Sequence, residues 1–178
     1  MSFLPSILFG FFLFSSIALF AFNCRKIYRN INLGKNIYRG DNKKERFLKM
    51  FRLAFGQSKM LDKPVVGLLH LIVYVAFILI NVELIEIIID GLFGTHRFLA
   101  PYLGGFYNFL IGFFEILAFL VIISVLIFWI RRNILSIRRF ISNDLKGWPK
   151  TDANYILYIE LVLMFLFLNM NATDFYLQ

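Results

Sequence analysis

Apolar side chains fill four long stretches of the chain, and polar, mostly basic segments separate these stretches. The stretches cover residues 3–22, 64–90, 105–130 and 154–168. Because an α-helix needs about 20 apolar residues to cross the hydrocarbon core of a bilayer, the pattern predicts four membrane-spanning helices. We therefore expect an all-α protein, an integral membrane helical bundle that forms a single transmembrane domain over residues 1–178.

Two of the predicted spans are followed by residues that commonly interrupt apolar helices. Gly91 and Gly94 follow the second stretch, and Asn169 and Asn171 follow the fourth. We expect the second and fourth helices to end at these residues.

The amino-acid composition excludes several classes of protein. The chain is 60% hydrophobic, with a mean hydropathy of +0.72, whereas soluble domains are about 45–50% apolar. This excess excludes an ordinary soluble enzyme domain, a disordered chain and a coiled coil. The single cysteine, Cys24, excludes an internal disulfide and any iron–sulfur cluster or Cys-based zinc site held by this chain alone.

Basic residues are distributed unequally among the loops, and the net charge is +8. Of the 19 Lys and Arg residues, 12 lie in residues 23–63, six lie in residues 131–153, and one, Arg97, lies between the second and third spans. Because basic loops stay in the cytoplasm, we expect these two segments on the cytoplasmic side. Both termini and the loop of residues 91–104 are then on the outer side. Membrane topology accounts for the basic excess, so we expect no nucleic-acid partner.

The first basic segment contains a second periodic pattern. Phe47, Met50, Phe51 and Ala54 recur at helical spacing, with basic residues between them. This pattern predicts an amphipathic helix suited to the membrane interface. A helix that is solvated on all sides is the alternative.

His70 is the one histidine within an apolar stretch. It follows Pro64 by six residues, so it lies about 9 Å into the second span. A neutral imidazole there suits an axial bond to haem iron, and the alternative is a hydrogen bond to a neighbouring helix. His96 is 26 residues further on, or about 39 Å along a continuous helix, which is too far for both to bind one haem. A second haem ligand would come from outside this chain.

Several carboxylates lie in or beside the spans. Glu83, Glu86 and Asp90 are three, four and seven residues apart, so they share one face of the second helix. Glu115 lies in the third span at a similar depth from the outer side. These groups are candidates for exchanging protons with a quinol, and His96 is a weaker candidate for contact with a quinone or a haem. An interhelical hydrogen-bond network is the alternative.

Specific strings in the chain resemble a known family. They are Phe55–Pro64, Gly67–Phe77, Asn81–Glu86, Asp90–Arg97, Phe128–Arg132, Lys146–Pro149, Asn154–Leu157 and Met170–Asp174. Together they resemble the membrane portion of a bacterial family of iron–sulfur oxidoreductases. That family is similar to a nitrate-reductase gamma-like cytochrome b domain joined to a heterodisulfide-reductase-like iron–sulfur domain.

The resemblance implies a b-type haem in the membrane domain, a quinone or quinol as redox partner, and a location in the bacterial inner membrane. His70 matches the family's histidine on the second helix. Family members continue with a further helix that carries histidines and with Cys-rich cluster motifs, and neither is present before Gln178. We therefore expect the chain to be the N-terminal part of a longer protein or one subunit of a complex.

These observations predict a membrane electron-transfer subunit that is not catalytic alone. It would exchange electrons between the quinone pool and a cytoplasmic iron–sulfur unit through a b-type haem, with membrane lipid around it. The alternative is a non-redox membrane anchor or assembly subunit that binds a cytoplasmic partner through its basic loops.

Overall fold

The computed structural model describes residues 3–35, 40–56, 64–135 and 147–177. All regular secondary structure within these ranges is helical. Parts of both predicted basic loops lie outside the described residues, including Arg39, Lys59, Lys63, Arg138, Arg139 and Lys146.

Six helices follow one another along the described parts of the chain. They are α1 (Leu4–Ile31), α2 (Lys43–Gly56), α3 (Pro64–Phe93), α4 (Ala100–Leu103), α5 (Gly105–Asn133) and α6 (Trp148–Leu177). Helices α1, α3, α5 and α6 are long and apolar enough to cross a membrane. The prediction of an all-α protein with four membrane-spanning helices is confirmed.

Helix α6 extends beyond both ends of the stretch predicted for it. It begins at Trp148 and passes through Asn169 and Asn171, so the prediction that these asparagines end the helix is wrong. The side-chain amide of Asn169 donates a hydrogen bond to the carbonyl of Phe165, one turn earlier, at 2.7 Å. A polar side chain that is satisfied within its own helix does not have to interrupt it.

Helix α3 also continues beyond the first of the two glycines that were predicted to end it. It passes through Gly91 and ends at Phe93, so only Gly94 acts as the predicted stop. Gly94 has a φ of 67°, a left-handed conformation that glycine adopts without steric cost. Its N–H still donates to the carbonyl of Asp90 at 2.8 Å, which closes the last turn of the helix.

The chain divides into two compact units. The first contains α1, α2, the last part of α3 from Leu84 and the loop that follows it. Within this unit, α1 lies close to the end of α3. Gly10 is buried against Leu92, and the ring of Phe9 lies directly over Gly91.

The second unit contains the first part of α3, up to Glu83, together with α5 and α6. Helices α5 and α6 make the most extensive helix–helix contact in the described chain. The apolar core of this unit draws on all three helices and consists of Ala76, Ile80, Phe114, Leu117, Ala118, Val121, Val125 and Phe167. Packing of these side chains fixes the faces that α3 turns towards and away from the interior.

Candidate functional site

His70 lies on the exposed face of α3 in the second unit. Its imidazole ring stacks on the ring of Phe128 from α5, with 4.3 Å between ring centroids and 25° between ring planes. Stacking uses the face of the imidazole, whereas metal bonds and hydrogen bonds use the two nitrogens in the ring plane. Phe128 can therefore fix the orientation of the imidazole ring while both ring nitrogens remain able to bind a metal or a hydrogen-bond partner.

The surroundings of His70 would fit a haem held through one of its ring nitrogens. Neighbouring side chains on α3 are apolar, as a porphyrin ring prefers. Among the described residues, no three His, Cys, Asp or Glu side chains converge in a group that could hold a metal ion. His70 therefore offers one ligand, on a face of the helix that other chains or segments can reach.

Glu83 lies on the same helix as His70 but is buried in the second unit. Only 1% of Glu83 is exposed, which places it among the most buried side chains of the described chain. It continues the buried face formed by Ala76 and Ile80, because these positions recur at helical spacing. The separation of 13 residues from His70 corresponds to about 20 Å along the helix axis, with the two side chains on nearly opposite faces.

Other polar side chains are buried in the second unit. Asn171 of α6 is 3% exposed and Ser124 of α5 is 1% exposed. The Ser124 hydroxyl donates to the carbonyl of Leu120 at 2.9 Å, within its own helix. Glu115, also on α5, is only half-buried. Of the two predicted carboxylates in this unit, Glu83 is thus the one that is fully buried.

Glu86 and Asp90 belong to the first unit, where both bind the loop that follows α3. Glu86 is 2% exposed, and its Oε1 accepts the N–H of Leu99 at 2.8 Å. Asp90 accepts the hydroxyl of Thr95 at 2.5 Å and the N–H groups of Arg97 at 2.8 Å and Phe98 at 3.3 Å. These carboxylates hold the backbone of the loop in place.

The anchoring of this loop by Glu86 and Asp90 was not predicted from the sequence. The available signal was an aspartate just before the end of an apolar helix, followed by Gly94 and Thr95 in a short polar loop. Arg97 in this loop has a φ of 52°, which is uncommon for a residue with a side chain. The adjacent His96 is exposed.

A second group of polar contacts, also missed from the sequence, joins α5 to α6. The Trp129 indole donates to the Tyr158 hydroxyl at 3.1 Å. Asn133 and Asn154 exchange two amide hydrogen bonds, at 3.3 Å and 3.0 Å. In addition, the Arg132 guanidinium donates to the carbonyls at positions 149 and 150 at 3.4 Å and 3.3 Å. These contacts fix the ends of the two helices on either side of residues 134–147.

Comparisons with protein-family models, with curated proteins and with solved structures found no match to this chain. The functional interpretation therefore depends on the chemistry of individual side chains and on the sequence strings described above. Of the predicted site residues, the structure distinguishes two kinds. His70 and Glu83 lie in the second unit, whereas Glu86 and Asp90 serve the loop of the first.

Proposed function

We propose that this chain is the membrane subunit of a quinone-linked electron-transfer system in a bacterial inner membrane. Its partner would be a cytoplasmic iron–sulfur unit, held in part by the basic segments on the predicted cytoplasmic side. The observation that carries the proposal is the combination of an exposed imidazole, His70, and a buried carboxylate, Glu83, on one membrane-spanning helix. Ionisable groups at membrane depth are costly and are characteristically retained for function.

His70 would hold the iron of a b-type haem through one ring nitrogen. The stack against Phe128 would fix the plane of the imidazole and therefore the direction of that bond. A bound b-type haem supplies one-electron transfer between the quinone pool and the iron–sulfur partner. Because His70 faces outwards from its unit, any further ligand of the iron would be contributed by another chain or another segment.

Glu83 would hold a proton during quinone chemistry. Oxidation of one quinol to a quinone releases two electrons and two protons, and reduction of a quinone takes up the same number. The electrons pass to or from the iron–sulfur partner, and the protons need acceptors or donors that lead to water. A carboxyl group can serve as one such group because it accepts a proton when ionised and donates one when protonated.

A spectrum of the complex tests the haem assignment. The complex should be isolated from native membranes through a tag on this chain, and the reduced-minus-oxidised difference spectrum recorded. We expect the α-band of a b-type haem in the wild type and its loss or weakening in His70→Ala. His96→Ala is the matched control and should retain the band. A complex without haem, or a band unchanged in His70→Ala, would refute the assignment and favour the non-redox anchor.

Quinol turnover by the same preparation tests the proton assignment. Glu83→Gln keeps the size of the side chain and removes its ability to give up a proton. We expect slower turnover with the haem spectrum retained. Glu115→Gln, at a half-buried position on α5, serves as the control and should have a smaller effect. Equal turnover in Glu83→Gln and the wild type would contradict a proton role for Glu83.

A further inference from the structure

The apolar face of helix α2 is exposed. Every described side chain of this helix, from Lys43 to Ala54, is exposed. Among them are Phe47, at 59% exposure, and Phe51, at 50%. The two rings lie side by side, with centroids 6.3 Å apart. An exposed apolar face of this kind marks a site of contact with a membrane, a ligand or another protein.

The apolar residues of α2 occupy one side of the helix. With successive residues about 100° apart, one continuous arc of roughly 160° contains all but one of the apolar residues described in α2. These residues are Phe47, Leu48, Met50, Phe51 and Ala54. Lys43 and Lys44, in the first turn, also lie within this arc. Glu45, Lys49 and Arg52 lie on the opposite side. Leu53 is the apolar residue outside this arc.

Both ends of α2 are tied to membrane-spanning helices by short segments. Lys43 follows the end of α1 by 12 residues, and Pro64 of α3 follows Gly56 by eight. Eight residues span at most about 28 Å even when fully extended. The membrane surface is therefore always within reach of α2, at a far higher effective concentration than any soluble protein.

The charge of α2 indicates which surface it favours. The helix contains five basic residues and one acidic residue. Long Lys and Arg side chains can extend from the edge of an apolar face to phosphate groups above it. A basic amphipathic helix of this kind matches the boundary between anionic headgroups and acyl chains.

We propose that α2 lies flat in the membrane interface, with its apolar face among the acyl chains and Lys43, Lys44 and Arg46 on anionic lipid headgroups. The face that carries Lys49 and Arg52 then points to water and remains available to a soluble partner. This placement is independent of the electron-transfer proposal, because it concerns a different helix and a different ligand.

Nitroxide accessibility in the full chain tests the placement. In a Cys24→Ser background, a spin label is attached at Ala54→Cys on the apolar face or at Lys49→Cys on the polar face. The protein is reconstituted in nanodiscs of phosphatidylcholine with or without phosphatidylglycerol. In anionic nanodiscs, we expect the label at position 54 to be more accessible to oxygen than to a water-soluble nickel chelate, and the label at position 49 to show the reverse.

Two comparisons make the result decisive. Removing phosphatidylglycerol should raise the accessibility of the label at position 54 to the nickel chelate, and so should Phe51→Asp in anionic nanodiscs. Equal, water-like accessibility at both positions would overturn the proposal, as would protection of position 54 only after a soluble partner is added. The same oxygen preference with and without anionic lipid would refute the headgroup contacts.

Discussion

A methyl group at Gly91 should weaken the packing of α1 against the end of α3. A Cβ at this position would lie 2.5–2.7 Å from three atoms of the Phe9 ring. The ring would therefore have to move by about 1 Å to regain ordinary van der Waals distance. Gly10 offers a matched control in the same contact, because its Cβ would lie 3.6 Å from Leu92 and fit without adjustment.

The expected magnitudes follow from the steric term alone, because α1 and α3 remain helical after they separate in the bilayer and the helix propensity of alanine therefore cancels. Overpacking an existing contact costs about 1–3 kcal/mol. Gly91→Ala should therefore weaken the contact by about 1–3 kcal/mol. Gly10→Ala should change it by less than about 0.5 kcal/mol, because the added methyl group fits beside Leu92 without adjustment.

Steric trapping measures this contact directly. In a Cys24→Ser background, biotin tags are attached at Leu8→Cys and Phe93→Cys, two exposed positions that flank the contact. Two monovalent streptavidins can bind both tags only after α1 separates from α3, so the affinity of the second streptavidin gives the free energy of separation.

A double-mutant cycle with Phe9→Ala decides the cause. Without the ring, Gly91→Ala should leave the contact unchanged, as Gly10→Ala does. The coupling energy between positions 9 and 91 should be about 1–3 kcal/mol. If Gly91→Ala has the same effect with and without the ring, the steric explanation is refuted.

Three further predictions concern other contacts. Asn133→Ala and Asn154→Ala should each destabilise the protein by about 0.5–1.5 kcal/mol in SDS unfolding, because each removes both hydrogen bonds of a partly buried amide pair; the double mutant should lose less than both combined, and additive losses would contradict the pairing. Asp90→Ala should accelerate amide hydrogen exchange at Arg97 by about tenfold or more, since hydrogen bonds to a charged acceptor contribute about 1.5–3 kcal/mol each; unchanged exchange would rule out the anchoring role. Ala118→Leu, at a fully buried position, should lower the unfolding free energy by about 1–3 kcal/mol, and unaltered stability would disprove tight packing there.

The number and type of the helices could be predicted from the sequence because bilayer thickness sets one strong requirement. Each apolar stretch long enough to cross the membrane became a helix. The predicted positions of the helix ends were less accurate. Backbone hydrogen bonding continues wherever a polar side chain is satisfied within its own helix, as at Asn169. Glycine in a helix likewise does not end it unless the chain turns, which happens at Gly94 and not at Gly91.

The candidate site was only partly accessible to sequence reasoning. His70 and Glu83 could be singled out because charged or titratable groups are rare in apolar stretches. Which of them faces inwards depends on the packing of α3 against α5 and α6, which periodicity alone does not fix. The roles of Glu86 and Asp90 depend on a loop whose backbone folds back onto the helix, and no local propensity specifies that path.

The α5–α6 contact joins residues that are close along the chain, whereas the α1–α3 contact joins residues that are far apart. This difference in sequence separation bears on the order in which the helices assemble. Asn133 and Asn154 are 21 positions apart and join consecutive helices, so α5 and α6 can pair as a hairpin soon after both have been synthesised. Phe9 and Gly91 are 82 positions apart, so α1 has to wait in the bilayer until the end of α3 has emerged. During that interval, lipid covers the face of α1 that later packs against Gly91.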